Sequence, residues 1–391
     1  MQIITYIFVL ILFFIHTSAN GIIDNTPAQY AIYYIYMIKV SIKPHWEIGD
    51  ANAAALDTTE LLALLMAIEQ TGSIAKAAMQ VHHSYRHAWG LLRSSELAFG
   101  HSLITSDRGR GTTLTPFADK LLWADRMISA RLSPTLDSLA SELEIELGKT
   151  AEGKSKTVRL NASHGFAVAA LLNQFNKIGL PVEVRYRHST DAMAALSRQE
   201  CDLAGFHVPL GEFEKPAIAS YAKWLNKRSD CLIHLAVRSQ GLFVAPGNPK
   251  QIHDLSDLQR SDLRFVNREA GSGTRMLLEL MLAGRSISHQ KINGFENTEF
   301  THSAVAAFIA SGMADVGFGV QTASQRFGLD FIPLVRERYF FALPSASLND
   351  PLLRSVVDIL QSSTLREVVN QLAGYDATDT GKIQSLQEAF G

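Results

Sequence analysis

One short polar segment divides this chain into two parts that must fold differently. Residues 148–156 contain two glycines and three lysines and no large apolar side chain. Such a composition is typical of a linker between domains. Before it, the apolar residues follow helical spacing, whereas short apolar strands alternate with helices over 157–391. The alternation predicts a mostly parallel α/β sheet in the second part, and the first part is predicted to be mainly helical.

Three short helices are predicted in the first part. An amphipathic pattern over 56–72 ends in a glycine, Ser73 begins an alanine-rich helix, and Ser84 begins a third, more polar helix. Two strand-like runs around a Gly/Arg turn follow over 103–114. This order of elements is typical of a helix-turn-helix with a wing. A solvated helix face and a hairpin in another kind of small domain is the alternative.

Positive charge is concentrated over residues 73–110 of the first domain, which contain five basic and two acidic residues. The whole chain has a formal net charge of only −2, so binding of nucleic acid would need such a local patch. We expect the third helix to enter the major groove and the wing to contact the backbone or the flanking minor groove. The candidate DNA-binding residues are Lys76, Ser84, Tyr85, Arg86, His87, Arg93, Arg108 and Arg110.

A long helical pattern fills the region between the wing and the linker, over 115–147. Pro116 suits the first turn of a helix, whereas Pro134 is expected to break or kink the pattern. Such a helix commonly pairs with its counterpart in DNA-binding proteins, so we expect a homodimer or higher homo-oligomer that reads an inverted repeat of double-stranded DNA. Packing on its own domain is the alternative, and both arrangements are compatible.

The first 36 residues form an apolar extension of different character. The run 3–15 is almost wholly apolar and small residues follow it, as in a signal peptide. No Lys or Arg precedes the run, and it is shorter than the roughly 20 residues of a membrane span. We interpret it as an upstream extension from a wrongly chosen start codon, with a signal or anchor as the alternative. The DNA-binding pattern favours a cytoplasmic protein with no membrane partner.

The stretch Asn267–Arg275 gives the clearest ligand-binding signal in the second part. It follows a short apolar run and precedes a predicted helix, so free backbone N–H groups at the helix N-terminus favour an anion. Gly271 and Gly273 allow close approach of a ligand, and Ser272 and Thr274 can donate hydrogen bonds. An ordinary strand-to-helix turn with a Ser/Thr cap is the alternative.

Polar clusters also follow the other predicted strands. Ligands in open α/β sheets bind beyond the carboxyl ends of the strands. The candidate ligand-binding residues are therefore Ser163, His164, His188, Ser189, Thr190, Arg268, Glu269, Gly271, Ser272, Gly273, Thr274, Arg275 and Thr301. No metal-ligand spacing, nucleophile motif or phosphate-binding loop is present, and the two cysteines fit neither a metal site nor a disulfide framework. We expect no cofactor, no resident metal and no enzymatic activity.

These motifs resemble two known families of regulators. Residues 56–147 are similar to the winged helix-turn-helix and dimerisation helix of ModE-type and LysR-type regulators. The run Gly72-Ser73-Ile74-Ala75-Lys76-Ala77-Ala78 is similar to both, and Tyr85-Arg86-His87-Ala88-Trp89 is closer to the ModE-type pattern. Residues 157–373 resemble a periplasmic-binding-protein-like ligand domain, whose most specific motif matches the stretch at 267–275.

The resemblance implies an α/β multidomain protein with a winged helix-turn-helix and a two-lobed type II periplasmic-binding-protein-like domain. The expected division is an extension at 1–36, a DNA-binding domain at 37–114, a dimerisation helix at 115–147, a linker at 148–156 and a sensor domain at 157–391. Lobe I would comprise about 157–243 and 340–391, and lobe II about 244–339. Closure about hinges near 243–248 and 335–340 would shift the DNA-binding heads.

The same resemblance implies a transcriptional regulator that responds to a small anion. Molybdate or tungstate is the expected effector, and neutral N–H and O–H donors suffice to hold such an oxyanion. An organic ligand related to molybdenum-cofactor metabolism, or a small carboxylate, would use the same site with Arg268 or Arg275 as its charge partner. The alternative from another class is an exported solute-binding protein of an ABC-type oxyanion transporter, which leaves the helix-turn-helix unexplained. An enzyme is the third possibility.

Overall fold

The computed structural model describes residues 39–48, 56–107, 111–152 and 156–391. The extension at 1–36 and the two wing-tip residues Arg108 and Arg110 lie outside these ranges, so their predicted roles stay predictions. Within the described ranges, no helix is both long and apolar enough to span a membrane. Both cysteines, Cys201 and Cys231, are buried and unpaired.

Three helices and a hairpin form the first domain, as the sequence predicts. Its elements are β1 (Glu47–Ile48), β2 (Leu56–Asp57), α1 (Thr59–Thr71), α2 (Ile74–Gln80), α3 (Tyr85–Phe99), β3 (Ile104–Asp107) and β4 (Gly111–Leu114). β1 pairs with β2 and β3 with β4, both antiparallel. Gly72 ends α1 in the left-handed conformation, and the side chains of Ser73 and Ser84 cap α2 and α3.

One apolar core holds these helices together. Leu61, Leu65 and Ile68 of α1 are fully buried, and Ala77 of α2 and Ala88 of α3 lie against them without exposed surface. Alanines at these positions let the second and third helices approach closely, because their side chains occupy little volume. The packing fixes α3 with its polar face outward.

A single helix, α4 (Pro116–Glu152), connects the two domains. Pro134 lies inside this helix, so the predicted break at Pro134 is wrong, while the kink that is its alternative stays a prediction. A proline inside a helix removes one hydrogen bond and costs about 3 kcal/mol, which contacts on both sides of the proline must offset. The helix also extends through residues 148–152, so the first five residues of the predicted linker are helical.

Contacts with the second domain account for the continuity of α4. The hydroxyl of Ser138 accepts a hydrogen bond from the Tyr186 backbone N–H at 3.0 Å, and that of Ser141 accepts one from the Val184 N–H at 2.9 Å. Both N–H groups belong to a strand at the edge of the sheet, which would otherwise present unpaired donors. The helix therefore covers an exposed sheet edge of its own chain, one of the two arrangements expected for it.

The second domain alternates strands and helices. Its strands are β5 (Val158–Ala162), β6 (Val182–Tyr186), β7 (Leu203–Pro209), β8 (Asp230–Val244), β9 (Phe265–Arg268), β10 (Thr298–Glu299), β11 (Val316–Val320), β12 (Asp330–Pro344), β13 (Tyr375–Asp376) and β14 (Ile383–Ser385). Its helices are α5 (Phe166–Lys177), α6 (Ser189–Ser197), α7 (Glu214–Tyr221), α8 (Gly273–Gly284), α9 (His302–Ala310), α10 (Gln321–Arg326), α11 (Pro351–Leu360), α12 (Ser363–Asn370) and α13 (Leu386–Phe390).

Two long antiparallel strands join the lobes of this domain. The strand order is β10-β9-β11-β8-β12-β7-β5-β6, and β13 and β14 also pair with β8. Pairing is parallel within each lobe, between β5, β6 and β7 and between β9, β10 and β11. β8 and β12 each run 15 residues and pair antiparallel through both lobes, with register shifts between Pro333 and Val335 and between Tyr339 and Phe340. The predicted crossovers between lobes therefore correspond to β8 and β12.

Candidate functional site

Four helix N-termini converge on one cleft between the lobes. The cleft encloses a volume of only about 10 Å³ and is lined by residues at the starts of α5, α6, α8 and α9. Each N-terminus directs unpaired backbone N–H groups and a partial positive charge of about half a unit towards the cleft. Anions are stabilised at such a position, and a cation is repelled.

The turn at 267–275 gives this cleft its lobe II wall, as the strand-to-helix interpretation predicts. Gly271 adopts a φ of 84°, in the left-handed region that favours glycine. The Ser272 side chain accepts a hydrogen bond from the Arg275 N–H at 3.2 Å and caps α8. A Cβ on Gly273 would lie 3.2 Å from the His207 ring, so glycine here permits close approach of the two lobes.

Arg268 places a buried positive charge in the cleft. It is 4% exposed and donates from Nε to the Glu299 carbonyl at 3.2 Å and from Nη2 to the Phe300 carbonyl. No carboxylate within the described residues forms an ion pair with it. Burial, followed by repulsion from Arg238, lowers the pKa of Arg268 to about 9, so it remains charged at neutral pH. An unpaired guanidinium in a buried site is costly unless an anion accompanies it.

A second guanidinium, that of Arg238, belongs to a buried network. It donates from Nε to Glu337 at 2.6 Å, and Gln240 donates from Nε2 to the same oxygen at 2.7 Å and to the Thr274 hydroxyl at 3.0 Å. Arg238 is 4% exposed and Glu337 is fully buried. Arg238 Nη2 has no hydrogen-bond partner among the described residues. The network orients Thr274 and leaves one guanidinium nitrogen without an acceptor.

The histidines around the cleft are held neutral. Burial and then Arg268 lower the pKa of His164 to about 4, and the same two causes lower that of His188. The pKa of His207 and that of His302 fall well below the ordinary value, chiefly through burial and then the two arginines. At neutral pH these rings therefore act as hydrogen-bonding groups without charge.

Polar contacts join the two lobes across the cleft. His188 Nε2 lies 3.4 Å from a carboxylate oxygen of Glu269, and the Thr190 hydroxyl donates to the Gly271 carbonyl at 3.4 Å. The rings of His188 and Phe300 also lie 5.1 Å apart between centroids. These contacts hold the lobes close together, which explains why the cleft is small.

Most of the predicted ligand residues lie at this cleft. Ser163, His164, His188, Arg268, Ser272, Gly273 and Thr274 line it. Ser189 does not line the cleft directly, and its hydroxyl oxygen lies 3.2 Å from His207 Nδ1. Thr190, Glu269 and Gly271 form the contacts between the lobes.

Two predicted residues lie elsewhere, which corrects their assignment to the cleft. Arg275 points away and pairs with Glu279 at 2.7 Å and Glu296 at 3.3 Å, because its position in the first turn of α8 places it on the opposite face. Thr301 uses its hydroxyl to donate to the Ala130 carbonyl at 2.9 Å and to accept from the Ala304 N–H. Its side chain therefore caps α9 and contacts α4.

Several lining residues are absent from the predicted set. They are Arg187, His207, Arg238, Phe300 and His302. His207 and His302 stand at the ends of predicted elements, so their positions could have indicated the site. Arg238 lies within the long strand β8, where no local sequence pattern distinguishes it from a surface arginine.

The predicted DNA-binding residues that the structure describes lie on α2, at the N-cap of α3 and along the first nine residues of α3. Lys76, Tyr85, Arg86, His87 and Arg93 are exposed, and Tyr85 stacks with Trp89 at 6.4 Å between ring centroids. The guanidinium of Arg93 lies 4.7 Å from the Trp89 ring. The Ser84 hydroxyl accepts from the His87 N–H at 3.1 Å and is used as the cap of α3. These side chains give α3 a positive, partly aromatic outer face.

Comparison with known proteins separates the same two domains. Residues 59–119 match the helix-turn-helix family described as bacterial regulatory protein, lysR family, and residues 172–361 match the PBP superfamily domain. The uncharacterized protein YvgK of Bacillus subtilis is 33% identical over 202 residues, which cover 51% of this chain and 64% of YvgK. The chain therefore aligns with less than two thirds of that relative.

A further relative and a solved structure complete the comparison. The molybdenum-pterin-binding protein MopB of Rhodobacter capsulatus is 28% identical over 142 residues, or 35% of this chain and 52% of MopB. A variant of Corynebacterium glutamicum OxyR aligns with 80% of this chain and 94% of its own, at 18% identity and a TM-score of 0.41.

The two domain matches define the domain composition of the protein. A helix-turn-helix domain of the lysR family precedes a domain of the PBP superfamily in this chain. The helix-turn-helix match is to the LysR family, and the closer resemblance of the third helix to ModE-type proteins stays a prediction.

Proposed function

We propose that this chain is a cytoplasmic, ligand-responsive transcriptional regulator whose effector is a small anion. A single observation carries the proposal: the segment 299–301 contacts both the cleft and the helix that leads to the DNA-binding domain. Its carbonyls at Glu299 and Phe300 accept hydrogen bonds from Arg268, and its side chains contact α4. A movement of Arg268 on ligand binding would therefore be transmitted to α4 through this segment.

The charge of the cleft supports an anion. At neutral pH the histidines are uncharged and Arg238 is neutralised by Glu337, which leaves the charges of Arg187 and Arg268 and four helix N-termini. The dipoles and the guanidinium groups all favour negative charge. The enclosed volume of about 10 Å³ is close to the space that one water molecule needs, so an ion of few atoms requires less opening of the lobes than a large organic molecule does.

Molybdate or tungstate is the effector that we propose first. The partial similarity to MopB, a molybdenum-pterin-binding protein, supports the choice, and the hydroxyls of Ser163 and Thr274 offer neutral hydrogen-bond donors to an oxyanion. A small carboxylate or a molybdenum-cofactor-related ligand would use Arg268 in the same way. Thermal shift of the purified chain with molybdate, tungstate, sulfate, phosphate and formate separates these possibilities, since a specifically bound ion stabilises the folded state at concentrations near its dissociation constant, whereas salts that act by exclusion need far higher ones.

The route to DNA runs through α4. Arg131 of α4 donates from Nε to both carboxylate oxygens of Glu299, at 3.1 and 2.9 Å, and Thr301 donates to the Ala130 carbonyl. The effector would draw Arg268, and with it the carbonyls of 299 and 300, towards the cleft. The resulting shift in α4 would change the placement of α3 relative to its partner helix.

A second copy of the chain fits the remaining face of α4. Leu132, Leu139 and Leu143 are each more than 40% exposed and recur at spacings of seven and four residues. This is the spacing of a helix–helix seam. A homodimer formed through these leucines would present two copies of α3 to an inverted repeat.

Fluorescence anisotropy with the DNA upstream of the protein's own gene tests the proposal as a whole. We expect salt-sensitive binding by the full chain, and a change in affinity when the anion that gives the largest thermal shift is added. DNA binding that does not depend on salt would contradict the proposed DNA-binding function. An anion that stabilises the protein without altering its DNA affinity would contradict the proposed coupling between the cleft and the DNA-binding domain.

A further inference from the structure

Three potential metal ligands meet at the start of α3, far from the cleft. Glu60 lies in the first turn of α1, His87 in the first turn of α3, and His83 just before α3. Their ligand atoms all lie within 4.8 Å of one another. A Glu60 carboxylate oxygen is 3.2 Å from His87 Nε2 and 4.0 Å from His83 Nε2. The two imidazole rings are 4.5 Å apart between centroids.

The backbone holds both histidines in place. His82 adopts a left-handed φ of 58°, which reverses the chain after α2, and histidine is among the residues that tolerate this region. The His83 N–H donates to the Ala78 carbonyl at 2.8 Å. The His87 N–H is fixed by the Ser84 cap at 3.1 Å. The two rings are therefore directed to the same side of α3 before any ion binds.

The donor set suits a divalent transition metal. Two imidazole nitrogens and one carboxylate oxygen are ligands of zinc and of its first-row neighbours. In a tetrahedral zinc site with bonds of about 2.0–2.1 Å, neighbouring ligand atoms lie roughly 3.3 Å apart. The 3.2 and 4.0 Å separations need only small side-chain rotations to reach that value. In the described residues, the Glu60 carboxylate has hydrogen-bond or ion-pair partners in these two histidines alone.

We propose that Glu60, His83 and His87 bind one divalent transition metal ion, of the zinc type, at the N-terminal end of α3. The exposed side of the cluster leaves a coordination position for water. The ion joins α1 to α3 and fixes the orientation of the first turn of α3. A role of the bound ion in DNA recognition rests on the proposed function. Binding of the ion itself does not depend on that function.

Direct metal titration of the full chain, with any affinity tag removed and after treatment with a chelator, tests the site. Cobalt(II) reports coordination through its visible absorption, and zinc(II) should displace it at one equivalent per chain. We expect Glu60→Gln and the double variant His83→Ala/His87→Ala to weaken binding by more than about tenfold, since each removes ligands directly. His253→Ala, which removes an exposed histidine of the second domain, should leave it unchanged.

A second measurement guards against misfolded variants. Far-UV circular dichroism of each variant without metal should match the parent chain, and zinc should raise the melting temperature of the parent and of His253→Ala alone. Absence of stoichiometric binding in the parent overturns the proposal, and so does equal affinity in the double variant. Neither measurement uses DNA, so failure here is distinct from failure of the regulator function.

Discussion

Arg131 and Glu299 form a two-pronged ion pair that joins the long helix α4 to lobe II. Nε of Arg131 lies 3.1 and 2.9 Å from the two carboxylate oxygens, and Nη2 also donates to Oε1. The Glu299 side chain is 6% exposed and that of Arg131 is 42% exposed, so the bidentate geometry fixes the pair while solvent screens its arginine end. The backbone carbonyl of the same Glu299 accepts from Arg268 in the cleft. One residue thus contacts the candidate effector site and the helix that leads to the DNA-binding domain.

Replacing Arg131 by methionine should separate effector binding from DNA binding. Arg131→Met removes the ion pair but leaves the cleft residues unchanged, so anion affinity should stay within about twofold. The effect of the anion on DNA affinity, expected at roughly 1–3 kcal/mol for an allosteric protein, should fall towards zero. Anisotropy titrations with and without the anion measure both quantities.

Arg126→Met is the matched control for this experiment. Arg126 also lies on α4 and forms an ion pair, but its partner Glu69 belongs to the first domain. The control should retain the coupling. Equal loss of coupling in both variants would show that any weakening of α4 suffices, and the specific route through Glu299 would then be wrong.

The charge of Arg268 should be required for the effector but not for the fold. Arg268→Met removes the unpaired guanidinium, and anion affinity should fall by about 2–5 kcal/mol because a buried charge partner is lost. Burial already lowers the pKa of this group to about 9, so removing the charge offsets the loss of its two hydrogen bonds to carbonyls. Thermal denaturation measures the stability of the variant, and isothermal titration calorimetry measures its anion affinity.

Arg264→Met provides the comparison, since Arg264 precedes the same strand but pairs with Asp315 at the surface. Its anion affinity should equal that of the parent chain. If Arg268→Met retained full affinity, the charge in the cleft would have no role in recognition.

Local sequence patterns were sufficient to locate half of the cleft. Ser163, His188 and Ser272 each stand between a strand and a helix, and such junctions are visible in a single sequence because caps and small residues mark them. The carboxyl ends of neighbouring strands meet, so the residues at these ends could be grouped without a structure.

The place of Arg238 in the cleft depends on contacts between distant strands, so local patterns could not reveal it. Arg238 and Glu337 are 99 positions apart and meet because β8 and β12 pair along their length. Neither residue carries a local signal, since both lie inside strands. Arg275 shows the opposite error, in which a residue is assigned to the cleft because of its position in the sequence. It belongs to the predicted motif, but the first turn of α8 directs its side chain to the opposite face of the helix. The continuity of α4 at Pro134 likewise follows from tertiary contacts that override a local preference.

Stability of the free protein should fall as the pH decreases below about 6.5. The pKa of His164 is lowered from 6.5 to about 4, so the unfolded chain binds more protons between these values. Stability is thus complete above pH 6.5 and is lost as the pH falls towards 4, by an amount on the order of 3 kcal/mol for this group. His207 and His302 act in the same direction.

Urea denaturation at pH 8, 6.5 and 5.5 measures this dependence. His164→Gln should reduce the slope between pH 6.5 and 5.5, because one buried group no longer titrates. An anion in the cleft favours protonated histidines and should also reduce the slope. A stability that is constant or increases towards acid pH would contradict the burial of neutral histidines.

Neutralising Glu337 should destabilise the protein, and a bound anion should restore part of the lost stability. Glu337→Gln leaves Arg238 buried without a counter-charge, and breaking such a pair costs about 3–5 kcal/mol. Because Arg238 lines the cleft, a bound anion can act as its new partner. The gain in melting temperature on adding sulfate or tungstate should therefore be larger for Glu337→Gln than for the parent chain.

Glu200→Gln is the control for that comparison, since its pair with Arg198 lies fully at the surface. We expect no measurable change in stability and the same response to anions as in the parent chain. An equal anion response in Glu337→Gln and the parent would show that Arg238 does not face the ligand.

Arg86 should contribute to DNA affinity through its charge. It is exposed in the first turn of α3, and its guanidinium can reach a phosphate or a guanine edge when α3 enters the major groove. Arg86→Ala should weaken binding by about 1–3 kcal/mol and, if the contact is to phosphate, reduce the salt slope by about 1. Arg285→Ala, an exposed arginine of lobe II, should alter neither value. Anisotropy titrations across a salt series distinguish the outcomes. An unchanged salt slope together with a relaxed sequence preference would indicate that Arg86 contacts a base. An unchanged affinity would show that Arg86 does not contact the DNA.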